Sequence, residues 1–230
     1  MFDLFDVSEK VISLRMSLHF RISPRGPKDA TKYFVIGHPR TGTTSLHNFF
    51  KSCGLNSLHT SKDWPTKDFD CFSDKGQNRP FKAYDAYYEN AKFILNCRPV
   101  EKYLLSLEHV FKRDFPVKTF EHEIRRRSKH FDRVLAHFQD RQNLLVVNIE
   151  KPGAMDFIAQ QLGLQPSPGI AEQVFNKAKK VPSPVNAINI SRALDKWGID
   201  GNAPLLSPGL SQKKSLAVLE EMTANGRVYL

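Results

Sequence analysis

The sequence predicts an α/β protein of three layers, with helices on both sides of a central, mainly parallel sheet. Three observations carry that prediction. Tyr33-Phe34-Val35-Ile36 is a short apolar run ahead of a glycine-bearing turn, which suits a strand buried on both faces. Lys92-Phe93-Ile94-Leu95-Asn96-Cys97 and Leu144-Leu145-Val146-Val147-Asn148-Ile149 are two further runs of that kind. Stretches with apolar residues at helical spacing separate and follow them, and such alternation implies βαβ units. A chain of 230 residues suits one such domain. Its core is expected over about 32–165, with 164–230 as a peripheral tail or lid.

Taken in order, residues 12–22 alternate. Ile12, Leu14, Met16, Leu18, Phe20 and Ile22 are apolar, while Ser13, Arg15, Ser17, His19 and Arg21 are polar, and a period of two predicts a half-buried strand at a sheet edge. Ser23-Pro24-Arg25-Gly26-Pro27 reads as a break. After the strand at 33–36 and the loop at 37–42, Leu46, Phe49, Phe50 and Cys53 mark a helix from Thr43 to Cys53, stopped by Gly54. Asn56–Thr60 reads as a second short strand. Residues 61–80 are polar and read as a long loop. Pro99 opens a helix that runs to about Lys112. Phe120, Ile124, Phe131, Val134, Leu135 and Phe138 mark a helix over 119–140, and a last helix spans 154–162 before Gly163.

The formal net charge is +10, which suits an anionic ligand, a nucleic acid or a membrane surface equally. Cys53, Cys71 and Cys97 are widely spaced and form no CxxC pair, which argues against a disulfide framework and a zinc site. No apolar run approaches the length of a membrane span, and Met1-Phe2-Asp3-Leu4-Phe5-Asp6 lacks the features of a secretory signal, so a cytoplasmic location is expected.

The turn between the first strand and its helix carries the chemistry. It reads Gly37-His38-Pro39-Arg40-Thr41-Gly42-Thr43-Thr44-Ser45. The first amides of a helix lack partners within it, and the helix dipole places positive charge there, so a phosphate at that end collects several donors. Gly42 allows close approach, and Thr43 and Thr44 add hydroxyls. The nucleotide-binding P-loop type of fold is therefore expected. The nucleoside-triphosphatase pattern Gly-x-x-x-x-Gly-Lys-Ser/Thr needs lysine where Thr43 stands. The nearest cation is Arg40, whose guanidinium can grip an anion bidentately without a metal.

In these residues the chain resembles the sulfotransferases that use 3′-phosphoadenosine 5′-phosphosulfate (PAPS), whose loop reads Pro-Arg/Lys-Ser/Thr-Gly-Ser/Thr-Ser/Thr. The resemblance extends over about 32–165 and includes Arg98 at the end of the 92–97 strand and Ser106 eight residues later. It implies that His38 to Ser45, Arg98 and Ser106 bind PAPS, with Arg98 and Ser106 at the 3′-phosphate. It also implies transfer of the sulfuryl group to a hydroxyl or amine, with no metal. The family's C-terminal Arg-Lys-Gly stretch has no counterpart, though Asn176-Lys177 with Lys179-Lys180 could substitute. That places the chain nearer the compact bacterial branch.

A base is needed for the acceptor's proton. In several branches it lies about twenty residues past the loop's basic residue, where this chain has His59, with Asp63 as runner-up. A histidine's usual pKa suits the task. His38 is expected to position the turn, and His47 to face the site or the surface. Asp70, Asp74 and Tyr84 are candidates for the acceptor pocket, and Arg125-Arg126-Arg127 reads as a solvated helix face. The acceptor is a small molecule, glycan or lipid, and no nucleic-acid motif is present. Three rivals remain: a P-loop kinase, nucleotide hydrolase or nucleotide-binding protein acting on a small molecule; a nucleic-acid-binding module; and a sulfotransferase-like protein without activity.

Overall fold

The computed structural model describes residues 4–59, 65–167, 183–204 and 213–230. The strands are β1 (Lys32–Val35), β2 (Ser57–Leu58), β3 (Cys71–Phe72), β4 (Ala91–Cys97), β5 (Leu144–Asn148) and β6 (Val228–Tyr229). The helices are α1 (Leu4–Ile22), α2 (Thr43–Ser52), α3 (Phe81–Tyr87), α4 (Val100–Phe111), α5 (Val117–Phe138), α6 (Ala154–Leu162), α7 (Pro184–Trp197) and α8 (Lys213–Ala224). The strands form one six-stranded sheet in the order β2-β3-β1-β4-β5-β6, parallel throughout.

Successive residues of a strand point to opposite faces, and the two faces build separate cores. Phe34, Phe72, Phe93, Leu95, Leu144 and Val146 pack with Phe20 of α1, Phe81 and Tyr84 of α3, Phe131, Val134 and Phe138 of α5, and Val218 and Met222 of α8. Tyr33, Val35, Cys71, Ile94, Leu145 and Val147 pack with Leu46, Phe49 and Phe50 of α2 and with Ala154 and Ile158 of α6. Three layers result. Phe50 and Phe93 are fully buried, and each such ring contributes roughly 2–3 kcal/mol of transfer free energy. A third cluster joins α4, α5 and α7 beside the layers.

Several expectations need correction. Residues 12–22 are the C-terminal part of helix α1, not an edge strand. In the helix, Met16 and Phe20 face inward at 3% and 4% exposure, while Leu14, Leu18 and Ile22 face outward at 71%, 56% and 75%. Two rows, each stepping by four residues and offset by two, together mimic a period of two. The expected loop at 61–80 holds β3, whose two residues are too few to show a period; residues 60–64 lie outside the described part. The tail does more than drape the surface. Val228 and Tyr229 pair with Val146 and Val147, so β6 completes the sheet, and α8 joins its core. Helix α7 carries signals the sequence reading passed over: Ser183 accepts a hydrogen bond from the Asn186 amide, Pro184 follows it, and Gly198 ends the helix in the left-handed region.

The order of strands positions the site. From β1 the chain leaves through α2, on one face, to β2 and β3. From β4 it leaves through α4 and α5 to β5 on the other side, with α5 on the opposite face. Adjacent parallel strands whose exits diverge leave a crevice at their C-terminal ends, where α/β sheets bind ligands.

Candidate functional site at the ends of β1 and β4

The loop after β1 opens into that crevice, and buried contacts fix its shape. Asn96 of β4 is fully buried. Its Oδ1 accepts the Gly37 amide at 3.0 Å, and its Nδ2 donates to Thr41 O and Thr41 Oγ1, both at 2.7 Å. Thr41 Oγ1 in turn donates to His38 O at 2.5 Å. A β-carbon on Gly37 would lie 2.2 Å from Asn96, so only glycine fits. Arg40 and Gly42 have φ of 69° and 87°, with Thr41 between them outside that region. Alternation of this kind turns successive amides toward one side, as in an anion-binding nest. Gly42 is also the N-cap of α2, and no side chain caps the helix. A β-carbon there would lie 2.3 Å from Ile149.

Three guanidiniums gather here, Arg40 within the loop and Arg98 and Arg127 behind it. Arg98 Nη1 donates to Arg40 O at 3.0 Å, and Arg127 Nη2 donates to Arg98 O at 2.7 Å. Arg98 is thus held by the backbone of Arg40, and Arg127 by that of Arg98. Arg98 also pairs with Glu150, which accepts from Lys102 Nζ at 2.6 Å through its other oxygen. Among the described residues no carboxylate pairs with Arg40 or Arg127, and Arg40 Nε, Arg127 Nε and Arg127 Nη1 are buried without partners. Burial, and then the Arg98 charge, press Arg40 below the usual arginine value. Four cations, Arg40, Arg98, Arg127 and Lys102, against the carboxylate of Glu150 make this group positive, which favours an anion.

The predicted residues fall into two groups. Arg40, Thr41, Gly42, Thr43, Thr44 and Arg98 are brought together, and His59 joins them from the end of β2. Its Nε2 lies 3.2 Å from Thr43 Oγ1 and 3.5 Å from Thr44 Oγ1. His47 stands 5.4 Å from His59 between ring centres and contacts Ser57 Oγ at 2.9 Å; burial, and then His59, lower its pKa. Pro39 is half-buried in the loop, and Ser45 is buried at 2% exposure with its hydroxyl unpartnered.

The second group lies elsewhere. His38 is fully buried behind the loop, edge-on to His130 at 5.0 Å, and neither ring nitrogen has a hydrogen-bond partner among the described residues. Ser106 is 1% exposed and donates to Tyr103 O at 2.6 Å, within its own helix. Asp70 precedes β3, where its carbonyl accepts the Tyr33 amide at the opposite end of the sheet. Tyr84 is buried in the core, stacked on Phe34 at 4.3 Å. Asp74, unlike these, follows β3 at the same edge of the sheet as the loop, and accepts from the Lys75 amide. Asp63 and the Asn176-Lys177, Lys179-Lys180 stretch lie outside the described residues.

The run Arg125-Arg126-Arg127 is not one solvated face. Arg125 is exposed over Trp197, Arg126 pairs with Glu123, and Arg127 is 3% exposed beneath Arg98, 5.1 Å from the Phe131 ring centre. Asn96 and Arg127 are the residues that sequence reasoning missed, and both left a signal. Asn96 is a polar residue inside a buried strand, where it must find partners. Arg127 follows Ile124 by three and precedes Phe131 by four, which puts it on the apolar side of α5. No protein-family model matches the chain, and no curated protein or solved structure matches it.

Proposed function

We propose that the protein is a sulfotransferase that moves the sulfuryl group of PAPS to a hydroxyl or amine of an acceptor. One observation carries the reading. An uncapped helix N-terminus with an alternating loop is backed by two guanidiniums, and Thr43 stands where a triphosphatase needs lysine. Such a site takes a phosphate or sulfate through amides and arginine and has no lysine for a γ-phosphate.

The chemistry follows from the positions. The loop amides and Arg40 hold the 5′-phosphate and stabilise the charge it gains as the sulfur–oxygen bond breaks. Arg98 offers a second anion contact for the 3′-phosphate. His59, beside Thr43 and Thr44, takes the acceptor's proton as its oxygen bonds to sulfur, so one bond forms, one breaks and the proton rests on the imidazole. No step calls for a metal. The kinase alternative needs Mg²⁺ and the absent lysine.

Titration calorimetry with adenosine 3′,5′-bisphosphate in the presence of EDTA should give micromolar binding or better. Arg40→Ala and Arg98→Ala should each weaken it by at least ~1.5 kcal/mol, because each removes a charge-assisted contact. Tight binding of MgATP with none of the bisphosphate would overturn the assignment.

A further inference from the structure

Helix α1 is apolar on two sides. Its inner side packs Met16 and Phe20 into the core. On its outer side Val11, Leu14, Leu18 and Ile22 are 60%, 71%, 56% and 75% exposed. The steps of three and four between them hold the row to one narrow stripe. Four large apolar side chains on one stripe are more than scattered surface residues, and folding does not account for them.

The flanks of the stripe are cationic. Lys10 and Arg21 lie on one side and Arg15 on the other, all three exposed, with His19 beside Arg15 bonded to Ser23 Oγ at 3.1 Å. No acidic residue occurs between Lys10 and Lys28. An apolar stripe with basic residues on both flanks is what an anionic bilayer surface takes: the stripe enters the headgroup boundary, and the cations meet the phosphates. A second copy of the chain fits poorly, since pairing two α1 helices in either direction sets a cationic flank against a cationic flank. Nucleic acid has no use for the apolar row.

We propose that the outer side of α1 docks the protein on an anionic phospholipid surface. Docking would also orient the molecule. Ser13 Oγ donates to Asn78 O at 3.1 Å, and Gly76, two residues earlier, packs against the backbone of Ile36, the residue before the phosphate loop. The crevice is therefore tied to the docking helix through a single turn. This inference stands whether or not the crevice binds PAPS.

The test is flotation of the full chain with phosphatidylcholine vesicles and with vesicles that also contain phosphatidylserine. Binding to the anionic vesicles should be stronger by at least about tenfold and should fall as salt rises. The double substitution Leu14→Gln, Leu18→Gln should abolish it at an unchanged melting temperature, and Lys10→Gln, Arg21→Gln should reduce it. Equal binding to both vesicle types, no binding to either, or full binding by the leucine variant would overturn the proposal. So would a wild-type dimer in light scattering that the leucine variant splits, since the stripe would then be a self-interface.

Discussion

The segment from Gly37 to Gly42 is held from three sides, by Asn96, Arg98 and Ile149, whereas the outer row of α1 leaves four large side chains more than half exposed. The proposed anion site and the proposed docking face call for different means of recognition. An anion site on the loop would work through backbone groups whose directions must be fixed in advance, and close neighbours fix them: an added β-carbon would lie 2.2 Å from Asn96 at Gly37 and 2.3 Å from Ile149 at Gly42. The helix works through area and charge, which tolerate small shifts. Rigid scaffolding is therefore needed at one segment and dispensable at the other. Substitutions should damage the fold at the loop and leave it unharmed on α1.

The largest effect is expected from pH. His130 donates from Nε2 to Ile36 O at 2.6 Å and receives Arg133 at Nδ1, so its ring is neutral. Burial, reinforced by the Arg133 charge, pushes its pKa down to about 3, and burial and His130 push His38 well below its usual value. The unfolded chain takes up protons near pH 6.5 that the folded chain refuses. Stability is therefore complete above pH 6.5 and is lost as the pH falls toward 3, by roughly 1–3 kcal/mol per pH unit for the two rings together. Urea midpoints at pH 7.5, 6.0 and 5.0 measure this; a flat profile would show that the two rings take up protons in the folded chain as readily as in the unfolded one.

Gly42→Ala comes next. It meets both a positive φ and the Ile149 side chain, and a loss of about 2–3 kcal/mol in urea unfolding is expected. A loss under 0.5 kcal/mol would mean that the loop adjusts freely, and the contrast with α1 would collapse. The smallest effect is expected on the helix: Leu18→Gln should change stability by no more than ~0.5 kcal/mol, because the side chain is already in water. A larger loss would mean that something covers the stripe in the folded protein.

What the sequence disclosed follows the same contrast. The strands β1, β4 and β5 were legible because each is buried on both faces and reads as a continuous apolar run. The helices α2 and α6 were legible because one apolar face repeats at one period and a glycine ends each. Helix α1 was misread because two apolar faces overlay to give a false alternation. β2 was expected as a short strand, whereas β3 and β6 pair through two residues each and gain their stability from neighbours distant in sequence, so no local pattern marks them. At the site, the loop and Arg98 were legible as motifs. The burial of His38 and the inward turn of Ser106 were not, since both depend on packing against α5 and within α4.

The two outermost strands of the sheet, β2 and β6, are each only two residues long. A long outer strand presents a row of free amides and carbonyls on which another molecule can build. Here such a visitor finds about one rung at either rim, while the apolar strands suited to fibre growth, β4 and β5, are enclosed between neighbours. Fibril growth from this fold must begin by prising open the middle of the sheet, since its margins offer so little to seed it.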